Sequence, residues 1–331
     1  MHVLFTFDYE LFFGTDTGSV EKCMIEPTNA LLRLGKTYNV GMTFFVDVGY
    51  LLKLEEYAPD HPKLQADLVK VKNQVDEMIS LGCSVQLHIH PHWEKSSYDG
   101  QKWQIVTDNC YKLDDFSDAE IEQIVKRYYL YLRQLTNQPI HSYRAGGWCI
   151  QPFLRLHKVF SELNLRIDSS VFPGGKFQSP HYDFDFTSVP VYSQAYRFET
   201  DVCVAEPNGK FTEYPIASWK YSPVFYWKLY ILGRLQPAKH KMIGDGSFLA
   251  QPGRKKSVLT SATWNHVSTD GYYAGMLNRQ ATAYQLRGVE HFVVIGHPKG
   301  LTVYALEQLE RFLETTRNKY TFSTFSDLLC N

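Results

Sequence analysis

Leu87-His88-Ile89-His90-Pro91-His92-Trp93 is the stretch on which the reading turns. Three histidines in five residues follow a short apolar run, Ser84–Leu87. Neutral imidazole is the commonest transition-metal ligand, and a histidine cluster after a buried strand is hard to account for as packing. Residues four apart lie ~13 Å from one another in an extended strand but ~5–6 Å in a helical turn. Pro91 fixes its own φ and has no N–H to give a sheet. The strand is therefore expected to end here and the chain to turn. That makes His88 and His92 the ligand pair and points His90 away from them, at most toward an outer contact. The plain alternative is three surface histidines in a loop.

Outward from this stretch the chain alternates. Val3–Phe7 reads as a strand ending on Asp8, and Val40–Val46 as the next. Between them a helix starts at Glu26, with Pro27 in its first turn and Gly35 as its stop. Pro62–Leu81 carries Leu64, Leu68, Val71, Val75, Met78 and Ile79 at helical spacing and ends at Gly82. Ser117-Asp118-Ala119-Glu120 is a capping box for a helix to about Leu135. His141–Arg144 and Leu165–Asp168 read as strands around a helix at Phe153–Leu163. Short alternating steps of this kind predict parallel β/α units. Residues 172–265 break the pattern. They are rich in Tyr, Phe, Pro and Gly, with short β-like pieces at Val189–Val191 and Phe211–Ile216, and read as an insertion or elaborated loops. A helix near Gly271–Arg287, a strand Phe292–Gly296 and a helix Val303–Arg317 restore it.

Composition narrows the class. The 331 residues are 44% hydrophobic and 15% aromatic, enough for a large core. A net charge of −1 without a basic block argues against nucleic acid as partner. The chain shows no secretory signal pattern and no apolar run near the ~20 residues of a membrane span. Its six scattered cysteines form no Cys-x-x-Cys and read as reduced thiols, so the expected compartment is the cytoplasm. The apolar run Val224–Leu232 reads first as a buried helix of the insertion, and second as an interfacial helix in peripheral contact with a membrane.

Several strands end on chemically capable residues: Asp8 and Glu10, His88 and His92, Arg144, Asp168, and His297. A β/α barrel gathers such strand ends around one mouth. With these residues in place, the chain resembles the polysaccharide deacetylases (carbohydrate esterase family four) over about Val3–Asp168 and Phe292–Phe325. The residues that carry the resemblance are Thr6-Phe7-Asp8-Tyr9-Glu10, the His88–His92 spacing, Ser142-Tyr143-Arg144, Ile167-Asp168-Ser169-Ser170, and Val293-Val294-Ile295-Gly296-His297-Pro298.

The resemblance implies a truncated or irregular (β/α) barrel of the seven-stranded type, one domain over residues 1–331 with 172–265 as its insertion. It implies that Asp8 is the catalytic base and Arg144 the residue that orients it. Asp168 would hold His297, the general acid. The family's second Asp is replaced here by Tyr9. Some relatives, including the aminoarabinose-lipid deformylases, carry an Asp-x-Asp form, so Glu10 is the expected carboxylate ligand beside His88 and His92, with Asp8 as the alternative. Such ligation suits Zn²⁺ best, with Fe²⁺, Co²⁺ or Mn²⁺ as alternatives. Backbone N–H groups near Gly146 and Gly147 are candidates for an oxyanion contact. The implied activity is hydrolytic removal of an acetyl group from an N-acylated amino sugar, nucleotide- or lipid-linked or free, in surface-polysaccharide assembly. The alternatives are an amidase for a small non-sugar amide of the cyclic ureide type, and a catalytically silent carbohydrate-binding relative.

Overall fold

Val3 to Tyr9 are buried on both faces, as a strand in the middle of a parallel sheet must be. That strand, β1 (His2–Tyr9), is flanked on both sides in a curled sheet of the computed structural model, which describes residues 1–251 and 253–329. The other strands of the curl are β2 (Thr43–Asp47), β3 (Ser84–Ile89), β4 (Ser142–Ala145), β5 (Ile167–Asp168), β6 (Phe211–Glu213) and β7 (His291–Gly296). From β1 to β6 each pairs in parallel with the next, and β7 returns to pair in parallel with β1. The β6–β7 side is irregular. Ile216 bridges to Val293, and the Ala217 N–H donates to the Val293 carbonyl at 2.9 Å. Ser268 bridges to Ile295 just beyond. The result is the truncated (β/α) barrel expected from the alternation.

Helices surround the curl: α1 (Glu26–Tyr38), α2 (Val48–Tyr57), α3 (Pro62–Ser80), α4 (Asp118–Thr136) and α5 (Leu154–Leu163). In α3, Leu64, Leu68, Val71, Val75 and Met78 form the buried stripe, and Gly82 takes the positive φ of 75° that follows the helix. In α4 the capping box forms as predicted, with the Ser117 N–H donating to Glu120 at 2.9 Å. The stop of α1 differs from expectation. The helix runs through Gly35 to Tyr38 and ends at Asn39, whose φ of 53° shows that Asn here takes the left-handed role.

Residues 172–265 do more than insert. They supply β6 to the barrel, a strand of three residues that is too short for periodicity to reveal. They then rise from its end as a hairpin of Ser218–Tyr221 and Thr263–His266, which carries α6 (Pro223–Leu235) and two short helices, Pro237–His240 and Arg254–Thr260. Val189–Val191 lies in turns, not in a strand. The chain closes with α7 (Leu277–Gln285), β7 and α8 (Val303–Thr316). The five described cysteines are all free thiols, and Cys330 lies outside the described residues. Among the described residues no helix is long and apolar enough to cross a membrane.

Candidate active site

Strand alternation places the first two groups. Asp8 and Glu10, two residues apart, both turn into the mouth and are almost fully buried. Tyr9 turns the other way, and its hydroxyl donates to Gln74 of α3 at 2.7 Å.

On β3 the same alternation runs one step further than expected. His90 keeps an extended backbone (φ −108°, ψ 95°), and the turn begins only at Pro91. His88 and His90 therefore share a face. His88 Nε2 lies 3.1 Å and His90 Nε2 2.7 Å from Glu10 Oε2. Glu10, His88 and His90 offer ligand atoms within 4.8 Å of one another and could hold a metal ion. His92 falls outside this set. Its ring stacks on Tyr111 at 5.8 Å and meets Phe13 edge-on at 4.5 Å, and both its nitrogens lack a hydrogen-bond partner among the described residues. His88 and His90, and not the expected His88 and His92, are thus the histidines that face Glu10, because the extended backbone runs on through His90 and the turn begins only at Pro91.

The surroundings fix this set. His88 Nδ1 donates to the Arg144 carbonyl at 2.8 Å, which turns Nε2 toward Glu10. Gly146 makes room for His90: a Cβ there would sit 2.6 Å from His90 Nδ1. Lys299 donates to Glu10 Oε1 at 2.8 Å and to the Leu11 carbonyl, leaving Oε2 to the histidines. Burial raises the Glu10 pKa, but the Lys299 charge and the two histidines outweigh it and hold the carboxyl well below its ordinary range. Burial drives His90 down to about 4 and holds His92 well below its ordinary value. His88 is buried too, yet Asp8 and Glu10 lift it to about 9.

Arg144 meets Asp8 as the resemblance implies. Its Nη1 donates to Asp8 Oδ1 at 2.7 Å. Nε reaches the Ser169 carbonyl at 2.8 Å, Nη2 reaches Thr6 Oγ1 at 2.9 Å, and the plane lies 4.3 Å from the Phe45 ring centre. A guanidinium held at this many points can orient only one lone pair of its carboxylate partner.

His297 stands at the end of β7, with Nε2 3.6 Å from Asp8 Oδ2 and 3.9 Å from Glu10 Oε1. Its Nδ1 lies 2.8 Å from Asp270 Oδ2, and its backbone N–H donates to Asp270 Oδ1 at 2.8 Å. Burial lowers the His297 pKa, and Asp270 raises it by more, with help from Asp8 and Glu10. Asp168 was expected in Asp270's place. It instead accepts from the Ser170 N–H at 3.0 Å and from Ser170 Oγ at 2.8 Å, and it faces Glu213 of β6, its partner in the strand register. Burial raises both carboxyls, and the neighbouring Asp168 charge adds to the rise of Glu213, which lies well above its usual value.

Sequence reasoning missed three residues here. Asp270 follows an irregular strand piece, where Asp before Gly271 reads as a helix cap. Lys299 reads as an ordinary lysine, and only its position two residues past His297 marks it out. His266 lies on the return strand of the hairpin, its ring 5.0 Å from Trp148 and its Nδ1 without a partner.

No protein-family model matches the sequence, and no curated protein matches it. Solved structures do match. A Mycobacterium smegmatis protein classed as a polysaccharide deacetylase superposes over 99% of this chain and 88% of its own, at 16% identity and a TM-score of 0.53. The chain has the polysaccharide-deacetylase fold. A branching enzyme from Thermococcus kodakaraensis covers 100% of this chain and 71% of its own, at 10% identity and TM-score 0.52. An allantoinase covers 99% and 88%, at 12% identity and TM-score 0.50. The polysaccharide-deacetylase fold thus gives the scaffold, while the chemistry has to be argued from the side chains.

Proposed function

We propose that this chain is a divalent-metal-dependent hydrolase that removes an acetyl group from an N-acylated amino sugar. One observation carries the reading: Asp8, Glu10, His88 and His297 meet at the ends of three parallel strands, with gaps of 3.1 to 3.9 Å. Two imidazole nitrogens and one carboxylate oxygen suit Zn²⁺ first, and Fe²⁺, Co²⁺ or Mn²⁺ next. A metal held by Glu10, His88 and His90 would supply carbonyl polarisation and a more acidic water.

The chain's own groups do the rest. Asp8, fixed by Arg144, takes a proton from the attacking water. His297, kept protonated by Asp270, gives a proton to the nitrogen as the carbon–nitrogen bond breaks, so that water and amide become carboxylate and amine. Trp148 and His266 form one aromatic wall beside this centre, which suits the face of a sugar ring. A precursor of a surface polysaccharide is the substrate setting this reading favours.

The test is acetate release from a panel of N-acetylated sugars, with and without chelator, on protein of known metal content. Metal-free protein with no chelator-sensitive release across the panel would overturn the reading. Lys299 favours a second one. Its ammonium already neutralises Glu10, as a metal-free amidase for a small non-sugar amide would require. Hydrolysis of such amides by metal-free protein would select it.

A further inference from the structure

Helix α6 leaves one side without a partner. Its inner side is buried, with the Phe225 ring 4.7 Å from Tyr221 and 5.0 Å from Tyr273. On its outer side Val224, Trp227, Ile231 and Leu235 are 61%, 52%, 46% and 75% exposed. Steps of three, four and four residues keep them in one arc of the helix. A row of four large apolar side chains facing water is not explained by packing.

The charge of the segment that carries this row is one-sided along the sequence. Residues 214–269 hold eight lysines and arginines and a single carboxylate, Asp245, in a chain whose net charge is −1. At the helical repeat of 3.6 residues, exposed Lys228 falls on one margin of the row and exposed Arg234 on the other. Lys255 and Lys256 are exposed on the short helix Arg254–Thr260, which α6 touches through Trp227 Nε1 and the Leu259 carbonyl at 3.2 Å.

We propose that this face of α6 docks on an anionic membrane surface. The apolar row enters the headgroup boundary while the basic margins remain with the lipid phosphates. Thirteen residues lie along such a surface and do not cross it. A second copy of the chain is a poorer occupant, since paired faces would bring their basic margins together. Nucleic acid is also poorer, because bases stack on aromatic rings and this row is mostly aliphatic.

The return strand of the hairpin that carries α6 ends on His266, which stands against Trp148 and near His297 and Arg144 at the mouth. Docking therefore brings the mouth to the headgroup layer. Taken with the hydrolase reading, on which this one step rests, the substrate class becomes an acylated amino sugar on a lipid anchor. Docking itself stands without that reading.

The experiment is co-sedimentation of the full chain with vesicles of phosphatidylcholine alone and of phosphatidylcholine mixed with phosphatidylglycerol. Binding is expected to the mixed vesicles and to fall about tenfold or more at high salt. Trp227→Ser with Ile231→Ser, and separately Lys255→Glu with Lys256→Glu, should each weaken it by about tenfold or more. All four side chains are exposed, so an unchanged thermal midpoint will show that the fold is intact. Absent binding, equal binding to both vesicle types, or undiminished binding by the Trp227/Ile231 variant overturns the proposal. So does a concentration-dependent dimer that this variant abolishes, or salt-sensitive retention on a single-stranded oligonucleotide without vesicle binding. Vesicle binding by protein that releases no acetate upholds the docking and goes against the hydrolase reading alone.

Discussion

His297 Nδ1 and Asp270 Oδ2 lie 2.8 Å apart, and the same carboxylate also accepts the His297 backbone N–H. The ring is thus tied to Asp270 at two points and presents Nε2 to Asp8 and Glu10. An imidazole whose pKa is raised stays protonated to higher pH, so activity that needs the protonated ring is retained until pH rises through the shifted value. Asp270→Asn removes the main charge that raises it. The alkaline limb of the kcat profile should move to lower pH, and kcat should fall by roughly 10²-fold. Asp168→Asn should leave that limb where it is. A limb that moves with Asp168 and not with Asp270 would refute the assignment.

Metal content separates the three histidines. Glu10→Ala and His90→Ala should each lower metal affinity by about 10²-fold or more, and His92→Gln should leave it within about threefold. Elemental analysis of dialysed protein, with metal competition, reads the difference. Loss of metal in His92→Gln at an unchanged thermal midpoint would restore the pairing that four-residue spacing favoured.

Gly146 is required by contact. A Cβ there meets His90 Nδ1 at 2.6 Å and the Ile89 carbonyl at 2.6 Å, so Gly146→Ala must displace the ring or the strand end. The expected cost is about 1–3 kcal/mol in denaturant unfolding, with metal affinity reduced as well. Unchanged stability together with unchanged affinity would show that His90 can move freely.

The Asp168–Glu213 pair makes a prediction about stability. A carboxyl whose folded pKa is raised binds its proton more tightly in the folded state. Its contribution is therefore complete below the unfolded value and declines as pH rises toward the folded one. Glu213→Gln supplies a neutral donor to Asp168 and removes that dependence. The variant should match the parent near pH 5 and exceed its Tm by roughly 1–3 °C near pH 8. A variant less stable at both pH values would show that the raised Glu213 carboxyl is not the source of this pH dependence.

Most of the architecture was legible because it rests on patterns longer than a helical turn. The stripe of α3, the Ser117 capping box and the apolar runs of β1, β3 and β7 each carry their own signal. Asp8 and Arg144 were legible as strand-end residues, and their contact is what the resemblance to the deacetylases implies. What failed depended on single residues or irregular backbone. Whether the extended backbone runs on through His90 decides which histidines face Glu10, and spacing alone cannot settle it. Asp270 belongs to a seam held by isolated bridges, which has no periodicity to read. Composition suggested that α6 was buried. Only the packing of its inner aromatics shows which of its apolar residues remain in water.

Tyr9 bears on any attempt to redesign this centre. Its side chain lies behind the sheet against Gln74, on the side of β1 opposite the histidines. A carboxylate written in at position 9 to rebuild the paired-Asp motif would point away from the cavity, toward Gln74. In this chain the carboxylate that faces the histidines sits one residue further along the strand, at Glu10, where Lys299 meets it.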